Sequence, residues 1–140
     1  MNNITKLTNI NFNYLGNWIH QDEAISHTIK DINSKNFLYA FIVDEEVKYI
    51  GKSQQTIKQR FSGYIKPGSS QTTNIKNNKN IKNELFQNKE VKIYIFIDNT
   101  LLKYGDFNIS LSAGLEDDLI KQIKPPWNGK ENNEKPTNTI

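Results

Sequence analysis

The chain has 140 residues, enough for one domain with a modest core, and only 36% of them are hydrophobic. It contains no cysteine, which excludes disulfides and thiolate metal sites. The formal charge of +3 suits a polyanionic partner without demanding one, no apolar run approaches the ~20 residues that span a bilayer, and residues 1–13 lack the apolar stretch of a secretory leader.

Residues 1–13 read as loosely structured. From Tyr14 to Ile32, the apolar positions Leu15, Trp18, Ile19, Ile25, Ile29 and Ile32 suggest helix, best over 22–33. Phe37-Leu38-Tyr39-Ala40-Phe41-Ile42-Val43 is rich in aromatic and β-branched residues and predicts a buried strand. After a polar turn at Asp44-Glu45-Glu46, Val47-Lys48-Tyr49-Ile50 returns as its hairpin partner and Gly51 ends it. Ser53 is placed to cap a helix over 56–65, which Pro67-Gly68 breaks. Residues 74–88 predict a helix centred on 81–86. Val91-Lys92-Ile93-Tyr94-Ile95-Phe96-Ile97 alternates as a third strand. Residues 98–112 read as loop, then a helix capped by Ser112 runs to about Ile123 and stops at Pro125-Pro126. Residues 129–140 have little that could pack and read as a disordered tail.

Phosphodiester hydrolysis needs an activated nucleophile, charge neutralisation at phosphorus and help for the leaving oxygen. Tyr39 and Tyr49 lie on paired strands and can meet on one sheet face, although strand aromatics are ordinary. Arg60 is the single arginine among 18 basic residues. Its planar fork suits bidentate phosphate binding, and a surface ion pair explains it about as well. It flanks the inward stripe Ile57, Phe61 and Tyr64. Glu116 shares a helix face with Leu119, Ile120 and Ile123, where a carboxylate is costly unless it is paired or bound to a metal. Asp117 and Asp118 fit a simpler role as first-turn acids. Trp127 and the two prolines before it hold Asn128 near that helix, or merely stop it.

The ordered set resembles the GIY-YIG nuclease family. Tyr49-Ile50-Gly51 matches the second half of its signature, and Phe37-Leu38-Tyr39 stands in a degenerate first half that keeps the tyrosine. Arg60, Tyr64 four residues on, Glu116 and Asn128 match the remaining positions, so the likeness runs from about Phe37 to Asn128. Tyr39-Ala40, Tyr49-Ile50-Gly51-Lys52 and the closing Pro125-Pro126-Trp127-Asn128 look most like the family's small phage and type II restriction members. The resemblance implies an α+β single domain with a three-stranded antiparallel sheet flanked by helices. It makes residues 37–128 the core and 1–36 a partly helical extension. It further implies a metal-dependent endonuclease on double-stranded DNA, of restriction or phage host-DNA-degrading type. In that scheme Tyr39 is the general base, with Tyr49 and Lys52 lowering its pKa, and Arg60 neutralises the scissile phosphate. Tyr64 contacts the phosphate or nucleophile, Glu116 holds Mg²⁺ (or Mn²⁺), and Asn128 orients Glu116 or the phosphate.

Cutting both strands implies a homodimer or higher homo-oligomer, working in the cytoplasm of a bacterial cell whether host- or phage-encoded, with no membrane partner. Lys66, Lys76, Lys79 and Lys82 fall in a stretch without acids from 66 to 83, and with Lys58 form the expected DNA-binding surface. A solvated Lys/Asn-rich loop explains any single one of them as well. A noncatalytic nucleic-acid-binding module and a nicking repair or recombination nuclease remain the alternatives. Gly51-Lys52-Ser53 lacks the earlier glycine of a phosphate-binding loop, because Glu46 stands there. His20 and His27 show no ligand spacing.

Overall fold

The computed structural model describes residues 2–99 and 102–129. The sheet is built around β3 (Phe37–Val43), whose seven residues are all buried. That matches a continuous apolar run with neighbours on both faces and both edges. On one side β3 pairs antiparallel with β4 (Glu46–Ser53), across a turn in which Asp44 and Glu45 both take positive φ, the geometry of a tight two-residue hairpin. On its other side it pairs with β5 (Val91–Ile97).

These are the three expected strands, but the sheet has five. β1 (Asn13–Gln21) pairs with β5 and β2 (Ala24–His27) pairs with β1, giving the order β2-β1-β5-β3-β4 with β4 at an edge. The helix expected over 22–33 is therefore absent. Ile25 and Ile29 sit at helical spacing, yet both serve a hairpin that turns at Asp22, which takes φ 59. The β1 side chain Trp18 is buried edge-on against Phe41 and Tyr64. Pairing with the free edge of β5 outweighs the local helical pattern.

Two layers of helix cover the sheet. On one face α2 (Ile57–Ile65) brings Ile57, Phe61 and Tyr64, and α3 (Thr72–Phe86) brings Ile81, onto Tyr39, Phe41, Ile93 and Trp18. On the other, α1 (Asn3–Thr8) and α4 (Leu111–Ile123) lay Leu7, Leu115, Leu119 and Ile123 over Leu38, Ala40, Ile50 and Phe96. Residues 3–8 are thus helical, capped by Asn2, whose Oδ1 accepts from Thr5 N at 2.7 Å.

Both expected caps are displaced. Thr56 caps α2 in a reciprocal box with Gln59, and Ser53 instead accepts from Gln55 N. Ser110 caps α4. The loop expected over 98–112 contains a hairpin, β6 (Leu102–Tyr104) and β7 (Phe107–Ile109), turning at Gly105 with φ 61. Leu102, Ile109, Tyr104 and Phe107 share one face of it, and all four are exposed. No helix of the described residues is long and apolar enough to cross a membrane. From residue 130 on, the expected tail lies outside the described residues.

Candidate active site

The hairpin register sets Tyr39 opposite Gly51 and Phe41 opposite Tyr49. The side chains of Tyr39 and Tyr49 consequently share the α2 face, with ring centroids 6.0 Å apart. Gly51 leaves the space that the Tyr39 hydroxyl occupies. A Cβ there would lie 2.6 Å from that oxygen and 2.9 Å from Tyr49 Cε2.

From α2, Arg60 and Tyr64 reach the same spot. Arg60 Nε donates to Tyr39 Oη at 3.0 Å and Nη2 donates to Tyr64 Oη at 2.7 Å. The two hydroxyl oxygens are 2.6 Å apart, so one donates to the other. Arg60 Nη1 donates to Asn74 Oδ1 at 3.0 Å. The guanidinium carbon also stands 4.3 Å from the Tyr64 ring centroid, within cation–π range.

Electrostatics follow from burial. Burial raises the Tyr39 pKa well above the ordinary tyrosine value, the neighbouring Tyr49 raises it further, and Arg60 only partly opposes them. Tyr64 is raised for the same leading reason, by burial and then by Tyr39 and Tyr49. Both tyrosines therefore hold their protons at neutral pH. This corrects the expectation that Tyr49 lowers the Tyr39 pKa. Burial works against the Arg60 charge, but Tyr39, Tyr64 and Tyr49 outweigh it and its pKa lies above the ordinary value.

Lys52 and Glu116 approach from the other face. Lys52 follows Gly51 and so points to the α4 side, opposite Leu38 in β3. Its Nζ lies 3.7 Å from Glu116 Oε1. The Glu116 side chain retains 20% of its exposure. Burial raises its pKa, Lys52 lowers it and Asp117 raises it. Asp117 and Asp118 are exposed, as expected. The tyrosine–arginine cluster and the lysine–glutamate pair thus flank edge strand β4 from opposite faces.

Asn128 does not reach Glu116. Its amide bonds the backbone of Ile50 in both directions, between Tyr49 and Gly51, and Trp127 N donates to Lys48 O at 2.8 Å. Of the expected DNA-contacting lysines, Lys58 and Lys66 are exposed on α2 and just past it, Lys76 and Lys79 are exposed on α3, and Lys82 is half-buried. Asn74 was missed by sequence reasoning. Only its place at the start of a helix following the arginine helix hinted at it.

Among the described residues no group of three or more His, Asp or Glu side chains could hold a metal ion. One partly buried carboxylate still fits Mg²⁺, which keeps several waters and takes one or two carboxylates plus substrate phosphate. His20 and His27 stand on β1 and β2, packed against Phe86 and Trp18 respectively.

No family model and no curated protein sequence matches the chain. Solved structures do. A mutant of bacteriophage T4 EndoII superposes with a TM-score of 0.69 at 20% identity, covering 91% of this chain and 98% of that one. Restriction endonuclease HPY188I in complex with product DNA superposes with a TM-score of 0.50 at 18% identity, covering 87% and 79%. By fold the chain groups with these two endonucleases, consistent with the GIY-YIG-like pattern of its motifs.

Proposed function

We propose that the chain is a metal-dependent endonuclease that hydrolyses phosphodiesters in double-stranded DNA, of restriction or phage host-DNA-degrading type. The observation that carries this reading is the Arg60 guanidinium held by neutral partners beside two buried tyrosines. Three of its five N–H groups are bound to Tyr39, Tyr64 and Asn74, and none of these carries a negative charge. A desolvated, oriented cation with N–H groups to spare suits a phosphate. The folds of a phage endonuclease and of a restriction enzyme bound to product DNA support it.

In this reading Arg60 neutralises the scissile phosphate. Tyr39 and Tyr64, both fully buried, share one proton between them and hold the guanidinium in its plane from below. Tyr39 keeps its proton, so it positions, in place of the general-base role expected of it. Tyr49, less buried on the same face, takes that role: it orients the attacking water and, as its phenolate, accepts the proton that the water gives up. Glu116 is the residue that would hold Mg²⁺ or Mn²⁺, and Lys52 steadies its carboxylate until then. When bound, the ion supplies stabilisation of charge on the leaving oxygen. Lys58, Lys66, Lys76, Lys79 and Lys82 follow the DNA backbone, and a homodimer or higher homo-oligomer brings two centres to the two strands.

The test is plasmid cleavage with Mg²⁺ against EDTA, for wild type and Glu116→Ala. Metal-dependent cutting that Glu116→Ala abolishes while DNA binding survives supports the reading. Metal-independent binding with no cutting of linear, nicked or branched DNA replaces it with a binding module.

A further inference from the structure

We infer that Asn74 is a positioning residue for Arg60, and that residue 63 is glycine to make room for it. This rests on Arg60 being the phosphate-binding residue of the proposed nuclease.

Asn74 stands in the first turn of α3 and is buried. Its amide orientation is determined by chemistry. Arg60 Nη1 can only donate, so the atom facing it at 3.0 Å must be Oδ1. Nδ2 then donates to Gln71 Oε1 at 3.0 Å, and the same Gln71 oxygen accepts from Gly68 N at 3.0 Å. A relay thus runs from the backbone of the α2–α3 connection, through two side-chain amides, to the catalytic arginine. Tyr39 and Tyr64 hold Nε and Nη2, and Asn74 holds Nη1, so every guanidinium nitrogen has a partner.

The choice of asparagine separates function from mere stability. An aspartate in that place would accept the same hydrogen bond and bind the arginine more strongly through its charge. It would also neutralise the cation. Asparagine fixes the plane and leaves the positive charge for an anion.

Gly63 supports the same conclusion from the other helix. A Cβ on it would lie 2.9 Å from Asn74 Nδ2 and 3.5 Å from Arg60 Nη1. Its φ is not positive, so the backbone tolerates alanine, and alanine is the better helix former. What glycine supplies in α2 is the space in which the Asn74 amide reaches Arg60. Because Asn74 Nδ2 is the end of a rotatable side chain, Gly63→Ala displaces the amide at little cost to folding.

Arg60 is the single arginine, so its guanidinium signals in a proton–nitrogen correlation spectrum need no assignment among others. Wild type should show separate, slowly exchanging Nη1 protons. Asn74→Ala and Gly63→Ala should merge or lose them, whereas Asn74→Asp should keep them. Under single turnover, Asn74→Ala and Gly63→Ala should slow cleavage about 10- to 100-fold with little change in DNA affinity. Asn74→Asp should lose both rate and affinity, because its carboxylate neutralises Arg60. Gly63→Ala, in which the better helix former offsets part of the lost hydrogen bonding, should still fold and keeps the proposal falsifiable if Asn74→Ala does not.

Wild-type cleavage rates in both alanine variants overturn the proposal. So does lost activity with unchanged Nη1 signals. If wild type cuts no DNA, the nuclease reading fails and takes the positioning role with it, a result distinct from variants that cut normally.

Discussion

The side chain of Asn128 closes a ring of two hydrogen bonds with the backbone of Ile50: Oδ1 accepts from Ile50 N at 2.7 Å and Nδ2 donates to Ile50 O at 2.7 Å. Ile50 lies in edge strand β4, whose outward N–H and C=O groups would otherwise be unpaired. The amide acts as a one-residue strand, and Trp127 extends it by donating to Lys48 O. The clamp sits between Tyr49 and Gly51, so it fixes the strand from which Tyr49 and Lys52 both project. Asn128→Ala removes both bonds and should lower stability by about 1–3 kcal/mol. Urea unfolding measures this as a lower midpoint at unchanged slope. A wild-type midpoint would mean that the Pro125–Trp127 segment holds β4 without the amide.

Gly51→Ala tests the packing of the tyrosine pair. The new methyl would stand 2.5 Å from Tyr39 Cζ and 2.6 Å from its hydroxyl oxygen, at a buried position of β4. Overpacking of this kind costs about 1–3 kcal/mol. Because Tyr39 carries an Arg60 contact, cleavage should fall together with stability. A variant as stable and active as wild type would show that the Tyr39 ring has room to move.

Alkaline pH should weaken the fold through Tyr39. Burial raises its pKa above the ordinary 10.0, so the folded chain keeps a proton that the unfolded chain releases. That contribution to stability is fully present below pH 10 and is lost as pH rises from there through the folded pKa. Tyr64 adds the same sign. Melting temperature should therefore fall above pH 10, and phenolate absorbance of these tyrosines should appear only with unfolding. Tyr39→Phe should flatten the alkaline decline. A Tyr39 that titrates in the folded protein below pH 10 contradicts the buried, protonated assignment.

At Glu116 burial acts in the same direction, on a group that is charged at neutral pH. Burial raises its pKa, so ionising it in the fold is mildly unfavourable, and Lys52 offsets this only in part. Glu116→Gln should leave stability unchanged or slightly higher, since the exposed Lys52 loses little. Mg²⁺ should raise the wild-type melting temperature, by about 1–3 kcal/mol of linkage at concentrations ten to a hundred times its Kd. The same ion should do nothing for Glu116→Gln. An equal Mg²⁺ shift in both proteins places the ion elsewhere.

Legibility in the sequence followed how local each determinant was. β3, β4, β5, α2 and α4 announce themselves by apolar period, but Tyr39 and Tyr49 share a face only because the register shifts between Phe41 and Ile42, a bulge that the spacing alone does not give. Arg60 stood out because the other basic residues are lysines. β1 and β2 were misread because Ile25 and Ile29 keep helical spacing, while their strand pairing depends on β5, some seventy residues away. The β6–β7 hairpin has strands of three residues, too short for a periodic signal. Caps failed by a few residues wherever several Ser and Thr compete, as at Ser53 and Thr56. Asn128 stands out in the sequence as a fixed amide, but its bonds to Ile50 do not, since only the tertiary return of the chain to β4 brings the two together. Asn74 and Gly63 matter through each other, a relationship invisible until α2 packs on α3.

In the proposed reaction Arg60 neutralises the phosphate whose bond is cut. Single-turnover cleavage of duplex DNA by Arg60→Lys, with DNA affinity measured alongside, tests it most directly. Lysine keeps the charge but cannot hold Tyr39, Tyr64 and Asn74 at once or present a planar fork. Cleavage should fall about 100-fold or more while affinity changes by less than about tenfold. Arg60→Lys cutting at the wild-type rate would contradict the assignment, and would leave the cluster of Arg60, Tyr39 and Tyr64 as part of the core alone.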